Sequence, residues 1–330
     1  MHFYLFAEGF AQALRTILLV YLILTFMFTV YSIARMYWCA HVGSDVKGGK
    51  ERMRQLRKAG RFVQMPVYSM EEMAKEKHKR DVRMVYFPAD NPRDKRFVIV
   101  LPGGGYARVC TRHEGYPVAA ELNKMGINAF VLEYRAGRDC APFGPMEDLG
   151  IALRFIQDNT DKFDVVMDDY GLIGFSAGGN VAGIFSSHKF GYLDYQVPRP
   201  GILVLGYPWT CVNDWLSHPY WNIWIGLLGV WLSNRGSYHM FGLRHIKKGR
   251  QMLDVQKYIE ADYPKTFMFS GSWDVLVPAS RHADVFDEAL TRAGVEHKYE
   301  KYFGVPHGIG LGKRTKAQGW LERAVEYWGY

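Results

Sequence analysis

Residues 171–180 read GLIGFSAGGN, with Ser176 at the centre of a G-F-S-A-G run. A serine in this pattern can lie on a sharp turn between a strand and a helix, where its hydroxyl is exposed for nucleophilic attack. Gly174 and Gly178 would relieve the crowding of such a turn. The N–H group of Ala177 would then lie at a helix N-terminus, where it can stabilise an oxyanion. Because the motif is short enough to occur by chance, the alternative is a serine in an ordinary turn.

A nucleophilic serine needs a base, and the base needs a carboxylate that orients it. Asp274 follows an apolar run in TFMFSGSWDVLVP, and His307 follows another in YFGVPHGIGLG. Together with Ser176 they have the chain order serine, acid, histidine that is typical of hydrolases with a nucleophile turn. His282 and His297 are competing bases. We predict that both are surface residues, because one lies in a helical pattern and the other at the start of a strand.

A second glycine-rich segment, FVIVLPGGGY, ends another apolar run at residues 97–106. Its glycines allow the main chain to turn N–H groups toward a substrate without an intervening side chain. The alternatives are a flexible turn and a phosphate-binding loop. The second is disfavoured, because the spacings G-x-x-x-x-G-K-[ST] and G-x-G-x-x-G are both absent.

The elements that must position these residues are predicted between residues 81 and 330. Apolar runs predict strands at 97–101, 129–132, 170–175, 202–205, 266–269 and 299–303. Amphipathic patterns predict helices near 115–125, 146–159, 177–188, 281–294 and 316–328. Continuous apolar strands that alternate with helices indicate an α/β fold, with a mostly parallel sheet covered on both faces.

An insertion at about 208–260 interrupts this alternation and is too long for a simple crossover. We predict that it forms a cap over the sheet. It contains five of the nine tryptophans, namely Trp209, Trp215, Trp221, Trp224 and Trp231. These could form an acyl pocket, a sugar-stacking platform, a surface on lipid, or the core of the cap. Its apolar run NIWIGLLGVWL is too short to span a membrane.

The N-terminal region carries a different signal. Residues 16–34 contain no charged side chain, and as a helix they would extend about 28 Å, close to the hydrocarbon thickness of a bilayer. We predict a single-pass membrane anchor over residues 1–40. A cleaved signal peptide is the rival, but Arg15 is offset by Glu8 and no A-x-A-like site follows.

The net charge of +8 is concentrated after this apolar stretch, since residues 35–83 hold 13 Lys and Arg against 6 Asp and Glu. We therefore predict a basic juxtamembrane linker over residues 41–80 that faces lipid headgroups, with a plain solvated linker as the alternative. The positive-inside rule places the catalytic domain in the cytoplasm.

Four scattered cysteines agree with a reducing compartment and disfavour a zinc site. Nucleic acid is not an expected partner.

Five motifs together resemble the esterase/lipase branch of the α/β-hydrolases, in particular bacterial acetyl-xylan-esterase-like carbohydrate esterases, over about residues 80–330. The motifs are PGGGY at 102–106, EYR at 133–135, GFSAGG at 174–179, SWDVLVP at 272–278 and PHGIGLG at 306–312. The resemblance implies a serine hydrolase of carboxylic esters with no metal or other cofactor. The related H-G-G-G enzymes carry histidine at the position of Pro102. Main-chain donors should make that difference harmless.

The resemblance also assigns residues to roles. It implies a triad of Ser176, Asp274 and His307 and an oxyanion hole formed by the N–H groups of Gly103, Gly104 and Ala177. Tyr106, Trp209 and Trp273 are the candidates for substrate contact. We expect a short- or medium-chain acyl ester or an acetyl ester as substrate. A serine peptidase of the same fold and a non-catalytic, membrane-tethered binding protein are the alternatives.

Overall fold

Short apolar runs assemble into one eight-stranded sheet in the computed structural model, which describes residues 2–137, 140, 143–212, 222–228, 231, 249 and 251–330. The strands are β1 (Val63–Pro66), β2 (Arg83–Phe87), β3 (Phe97–Leu101), β4 (Asn128–Glu133), β5 (Gly171–Phe175), β6 (Ile202–Gly206), β7 (Lys265–Gly271) and β8 (His297–Tyr302). Their spatial order is β1-β2-β4-β3-β5-β6-β7-β8. The pairs β1–β2 and β2–β4 are antiparallel, and the other five pairs are parallel.

The helices cover both faces of this sheet. They are α1 (His2–Gly43), α2 (Val46–Lys58), α3 (Met70–Lys75), α4 (Tyr116–Lys124), α5 (Gly144–Gln157), α6 (Thr160–Phe163), α7 (Ala177–Phe185), α8 (Ala283–Ala293) and α9 (Trp320–Trp328). Alternate side chains of β3 point to opposite faces, as the period of a strand requires. Ile99 joins a core with α5, α7 and α8, whereas Val98 joins a second core with α2, α4 and α9.

The predicted α/β fold with a mostly parallel sheet is confirmed, and each of the six predicted strands is present. Two strands were missed. β1 has only four residues, and half of its side chains are exposed. β2 begins at an exposed arginine. Both pair in the antiparallel part of the sheet, where a strand needs no long apolar run.

The segment 41–80 is part of this fold, so the prediction of a linker followed by a domain boundary at residue 81 was wrong. Leu56 of α2 is buried in the second core. Arg52 donates hydrogen bonds to both carboxylate oxygens of Asp90. β1 pairs with β2, so the sheet begins at Val63. The error arose because α2 carries its many basic side chains on the surface while a few small and apolar residues form the contact.

Helix α1 is, among the described residues, the one helix long and apolar enough to cross a membrane by length and composition. Most large side chains of its apolar stretch are exposed, including Ile17, Leu18 and Leu24. Of the predicted insertion, the structure describes 208–212, 222–228, 231, 249 and 251–260. Trp215 and Trp221 lie outside the described residues.

The contact between α2 and α4 can be tested at Gly49, where an added Cβ would lie 2.8 Å from the main-chain nitrogen of Pro117. We expect Gly49→Val to lower the free energy of unfolding by about 1–3 kcal/mol, because the new side chain forces the helices apart. Gln55→Val, at an exposed position of the same helix, is the matched control. Urea unfolding in detergent measures both variants. Equal stability of the two would mean that α2 is the free linker predicted from its charge.

Candidate active site

The turn that follows β5 holds Ser176 in a strained conformation, with φ 49° and ψ −116°. Such a conformation persists only where the surroundings enforce it. Here the N–H group of Ser176 donates to the carbonyl of Gly206 at 3.0 Å, and its carbonyl accepts from Asn180 and Trp209. A Cβ on Gly178 would lie 2.1 Å from the carbonyl oxygen of Leu101. This crossing therefore requires glycine, and the predicted strand–turn–helix geometry is present.

The hydroxyl, imidazole and carboxylate that the sequence singled out lie in one hydrogen-bonded chain. Ser176 Oγ lies 3.0 Å from His307 Nε2, and His307 Nδ1 lies 2.6 Å from Asp274 Oδ2. The other carboxylate oxygen of Asp274 accepts from the N–H groups of Leu276 and Val277, at 3.0 and 2.7 Å. The three side chains come from loops at the carboxyl ends of β5, β7 and β8, which meet at one edge of a parallel sheet.

All three side chains are shielded from water, with exposed fractions of 6% for Ser176, 4% for Asp274 and 9% for His307. Burial by itself lowers the pKa of the His307 imidazole. The charge of Asp274 and its hydrogen bond outweigh this, and together with the charge of Glu114 they raise the pKa above its usual value of 6.5. Asp274 therefore stabilises the imidazolium form that a general base must adopt when it accepts a proton.

The glycine loop after β3 lies against the serine, but one of its predicted donors is already occupied. A Cβ on Gly103 would lie 2.8 Å from that of Ser176. The N–H group of Gly103 donates to a carboxylate oxygen of Glu114 at 2.7 Å. Because an N–H group has one hydrogen, the assignment of Gly103 as an oxyanion donor was wrong. The N–H groups of Gly104 and Ala177 have no acceptor within the part of the chain that the structure describes.

Glu114 is a site residue that sequence reasoning missed. It lies in the turn Thr111–Gly115 before α4 and is 5% exposed. Besides the Gly103 N–H, its carboxylate accepts from the Tyr207 hydroxyl at 2.8 Å, and that hydroxyl accepts from the Gly310 N–H at 3.0 Å. The Tyr207 ring packs against the His307 ring, 4.8 Å between centroids. Glu114 thus connects the glycine loop, the loop after β6 and the histidine loop.

Nothing in the sequence separates Glu114 from an ordinary acidic residue near a helix N-terminus, because its partners are distant along the chain. Burial raises the pKa of Glu114, and the hydrogen bond from Tyr207, the charge of His307 and the Gly103 N–H oppose this effect.

The predicted substrate-contact residues divide into two groups. Tyr106 and Trp209 are 1% and 4% exposed, and their rings pack at 6.2 Å. The Tyr106 hydroxyl donates to the Asn180 side chain, whose amide donates to the carbonyl of Trp209. Both aromatic residues are buried behind the serine turn, so their assignment as substrate-contact residues was wrong, and Trp209 takes the core role that was one of its alternatives. Trp273 is 40% exposed beside Asp274 and remains a candidate.

The competing histidines are not placed as predicted. His282 is 1% exposed, and its Nδ1 accepts from the Cys211 N–H at 3.2 Å. Burial lowers the pKa of His282 to about 3, so it is a neutral core residue rather than a surface one. His297 is partly buried, with Nδ1 against the carbonyl of Val295.

One cluster of side chains within the described ranges has the composition of a metal site, namely His188, Glu260 and Asp262. The two ring nitrogens of His188 face different carboxylates, Nδ1 toward Glu260 at 2.6 Å and Nε2 toward Asp262 at 2.7 Å. One metal ion cannot be bound by both nitrogens of one imidazole. In this arrangement the three side chains form an exposed hydrogen-bonded cluster, with the imidazole between the two carboxylates.

Comparison with known sequences finds a match for the part of the chain that holds the glycine loop and the serine turn. Residues 84–197, which carry the glycine loop and the serine turn, match the family model described as BD-FAE. An acetylxylan esterase of Xylanibacter ruminicola is 29% identical over 248 residues, which are 74% of this chain and 47% of that protein. An endo-1,4-β-xylanase B of Butyrivibrio fibrisolvens is 25% identical over 68% of this chain and 34% of its own length. The chain thus spans half or less of each relative.

Solved structures share the fold at lower identity. An acetyl ester-xyloside bifunctional hydrolase from Caldicellulosiruptor lactoaceticus superimposes with a TM-score of 0.66 and 22% identity, over 81% of this chain and 95% of that one. A carboxylesterase from Lactobacillus plantarum gives a TM-score of 0.59 and 18% identity, over 74% and 91% of the two chains. The chain therefore has the α/β-hydrolase fold, matches the BD-FAE model over residues 84–197 and resembles esterases of that fold, as its motifs predicted.

Proposed function

We propose that the protein is a serine hydrolase that cleaves carboxylic esters through an acyl-enzyme on Ser176. The observation that carries this proposal is the continuous chain from the Ser176 hydroxyl through His307 to Asp274, with contacts of 3.0 and 2.6 Å. A serine that only filled a turn would have no reason to be strained and paired with an imidazole. The resemblance to an acetylxylan esterase supports the same reaction class.

The reaction proceeds by two acyl transfers. His307 Nε2 accepts the proton of Ser176 Oγ as the oxygen attacks the ester carbonyl carbon, and the carbonyl oxygen becomes an oxyanion. The N–H groups of Gly104 and Ala177 stabilise that oxyanion. The imidazolium then donates its proton to the departing alcohol. Water, deprotonated by His307, attacks the acyl-enzyme and releases the acid.

We propose acetyl and short- or medium-chain acyl esters as the substrate class. The acetylxylan esterase and the structural neighbours named above support the acetyl and carboxylic ester chemistry. Trp273, which is 40% exposed beside Asp274, is the candidate for contact with the ester.

We assign Glu114 a positioning role in this reaction. Its carboxylate holds the N–H group of Gly103, so that the following N–H group of Gly104 can face the carbonyl oxygen of the substrate. Through Tyr207 it also fixes the loop that carries His307. A buried carboxylate with two donors from different loops fixes their relative positions more tightly than either loop could alone.

Fluorophosphonate labelling tests the nucleophile. We expect label on the wild type and on Ser280→Ala, an exposed control, and none on Ser176→Ala. Turnover of p-nitrophenyl acetate, butyrate and octanoate should fall by at least about 10⁴-fold in Ser176→Ala. A folded wild type that takes no label would favour the binding-protein alternative. Amide turnover equal to ester turnover would favour a peptidase.

The pH dependence of kcat/KM tests the base. Protonated His307 cannot accept the serine proton, so activity should fall as pH decreases through its pKa. The midpoint is expected above 6.5, because Asp274 raises that pKa. Asp274→Asn should lower kcat by about 10³–10⁴-fold and move the midpoint to lower pH. Asp287→Asn, at the partner of His297, is the control. An unmoved midpoint in Asp274→Asn would exclude His307 as the titrating base.

Substitution of Glu114 tests positioning. Glu114→Leu leaves the Gly103 N–H and the Tyr207 hydroxyl unpaired, which should cost about 1–3 kcal/mol of stability for each group. We expect kcat to fall by about 10–100-fold with little change in KM, since a misplaced oxyanion donor weakens the transition state alone. Glu114→Gln should recover most of kcat, and Glu288→Leu on the exposed face of α8 should change nothing. An increase in KM with unchanged kcat would contradict this role.

A further inference from the structure

Helix α1 arranges its polar and apolar side chains in the opposite way to a helix on the surface of a water-soluble domain. Its buried side chains within the apolar stretch are hydroxyl-bearing, namely Thr25, Thr29 and Ser32, with exposed fractions of 5%, 7% and 8%. Its large apolar side chains face outward, such as Leu24 at 63% and Met27 at 64%. Polar groups turned toward protein and apolar groups turned outward are the arrangement of a helix surrounded by hydrocarbon.

The tryptophan-rich insertion contacts this hydroxyl face at Thr25 and Thr29. Asn222 is fully buried against α1. Its amide donates to the carbonyl of Thr25 at 3.1 Å, and its side-chain oxygen accepts from the Thr29 hydroxyl at 3.2 Å. The Trp224 indole N–H donates to the carbonyl of Leu22 at 3.2 Å. Since Thr25 is the midpoint of residues 16–34, the insertion contacts the middle of the apolar stretch.

The outer surface of this part of the insertion is apolar as well. Residues 223–228 form a short helix whose start is capped by the Asn222 side chain. Ile223, Leu227 and Trp231 are exposed by 46%, 59% and 54%. No Asp, Glu, Lys or Arg occurs between residues 215 and 234. The described part of the insertion therefore adds an uncharged apolar surface beside that of α1.

Where α1 leaves its apolar stretch, it meets the catalytic loops. The Arg35 guanidinium donates to the carbonyl of Gly304 at 2.8 Å and lies 4.5 Å above the Trp273 ring. Trp273 directly precedes Asp274, and Gly304 lies in the loop of His307. From Arg35 back to Leu22 the helix rises about 20 Å at roughly 1.5 Å per residue. The triad loops thus lie at the boundary of the apolar stretch.

We propose that residues 222–228 and Trp231 enter the hydrocarbon layer beside α1, fixed there by Asn222, and that the catalytic cleft opens at the membrane boundary toward an ester held in the bilayer. This proposal rests on the proposed ester hydrolysis for its second part. The occupant of the apolar surface is the lipid bilayer, because the surface is charge-free, follows a helix of bilayer length and ends at Arg35, a charged residue at the level of the headgroups. The substrate is then an amphiphilic acyl ester rather than a soluble acetylated sugar.

The membrane position can be measured without any turnover. The full-length protein, in vesicles of phosphatidylcholine and phosphatidylglycerol, is labelled with an apolar diazirine that partitions into hydrocarbon, and the labelled peptides are mapped by mass spectrometry. We expect label on α1 and on the peptide that contains residues 222–231. Label on α1 alone would overturn the proposal, whatever the activity of the protein. Label on both peptides in a protein that cleaves no ester would support the membrane position and contradict the proposed ester hydrolysis.

Matched charge substitutions test the cleft. Leu227→Asp places a charge on the apolar surface, and Leu193→Asp places one at an exposed leucine elsewhere, which is 55% accessible. With 4-methylumbelliferyl octanoate, a medium-chain ester, held in the vesicles, we expect Leu227→Asp to lose roughly tenfold or more in turnover, because a charge in hydrocarbon is costly. Turnover of p-nitrophenyl acetate in water should stay within about twofold for both variants, since neither changes the triad.

Two results would overturn the proposed cleft. One is equal turnover of the vesicle-held ester by Leu227→Asp and Leu193→Asp. The other is a wild type that cleaves p-nitrophenyl acetate but leaves the vesicle-held ester intact.

Discussion

The crossing of three main-chain segments at Ser176 is the constraint on which the rest of the structure depends. The end of β3, the start of α7 and the loop after β6 approach so closely that a Cβ on Gly178 would lie 2.1 Å from the carbonyl of Leu101. Hydrogen bonds with α7 and with the segment 206–209 hold Ser176 at a positive φ. Strain of this kind is maintained only by a rigid surrounding, which the buried parallel strands supply. The hydroxyl is therefore presented to the imidazole without a long, flexible loop.

Buried polar groups away from the reacting atoms fix the loops that surround this crossing. Glu114 connects the glycine loop with the tyrosine that packs on His307. After β4, Arg135 of the EYR motif is 3% exposed and binds the Asp148 carboxylate with both its side chain and its main-chain N–H. A buried charge is tolerated where partners satisfy it, and a removed partner leaves a large penalty. Such groups hold each loop in one position in addition to stabilising the fold.

The protein combines two kinds of packing. Around the sheet, apolar side chains face inward and form two cores, one on each face. Along α1 the order is reversed, since hydroxyl and amide groups form the contact with the insertion and apolar side chains face outward. The two regions meet at Arg35, whose guanidinium contacts the loops of Asp274 and His307. The geometry of the site and the position of the apolar helix are therefore parts of one arrangement.

The sequence by itself determined the α/β class, six of the eight strands and which serine, carboxylate and histidine come together, because each depends on local patterns: apolar runs, a glycine-flanked serine and short motifs in chain order. Only the tertiary structure decided that α2 and β1 belong to the fold, that the Gly103 N–H is bound by Glu114, and that Trp209 and His282 are buried. The physical reason is that a hydrogen-bond partner or a covering surface contributed by a residue tens of positions away leaves no trace in the local pattern. Composition shows what a side chain can do, whereas its neighbours in space decide which of those roles it takes.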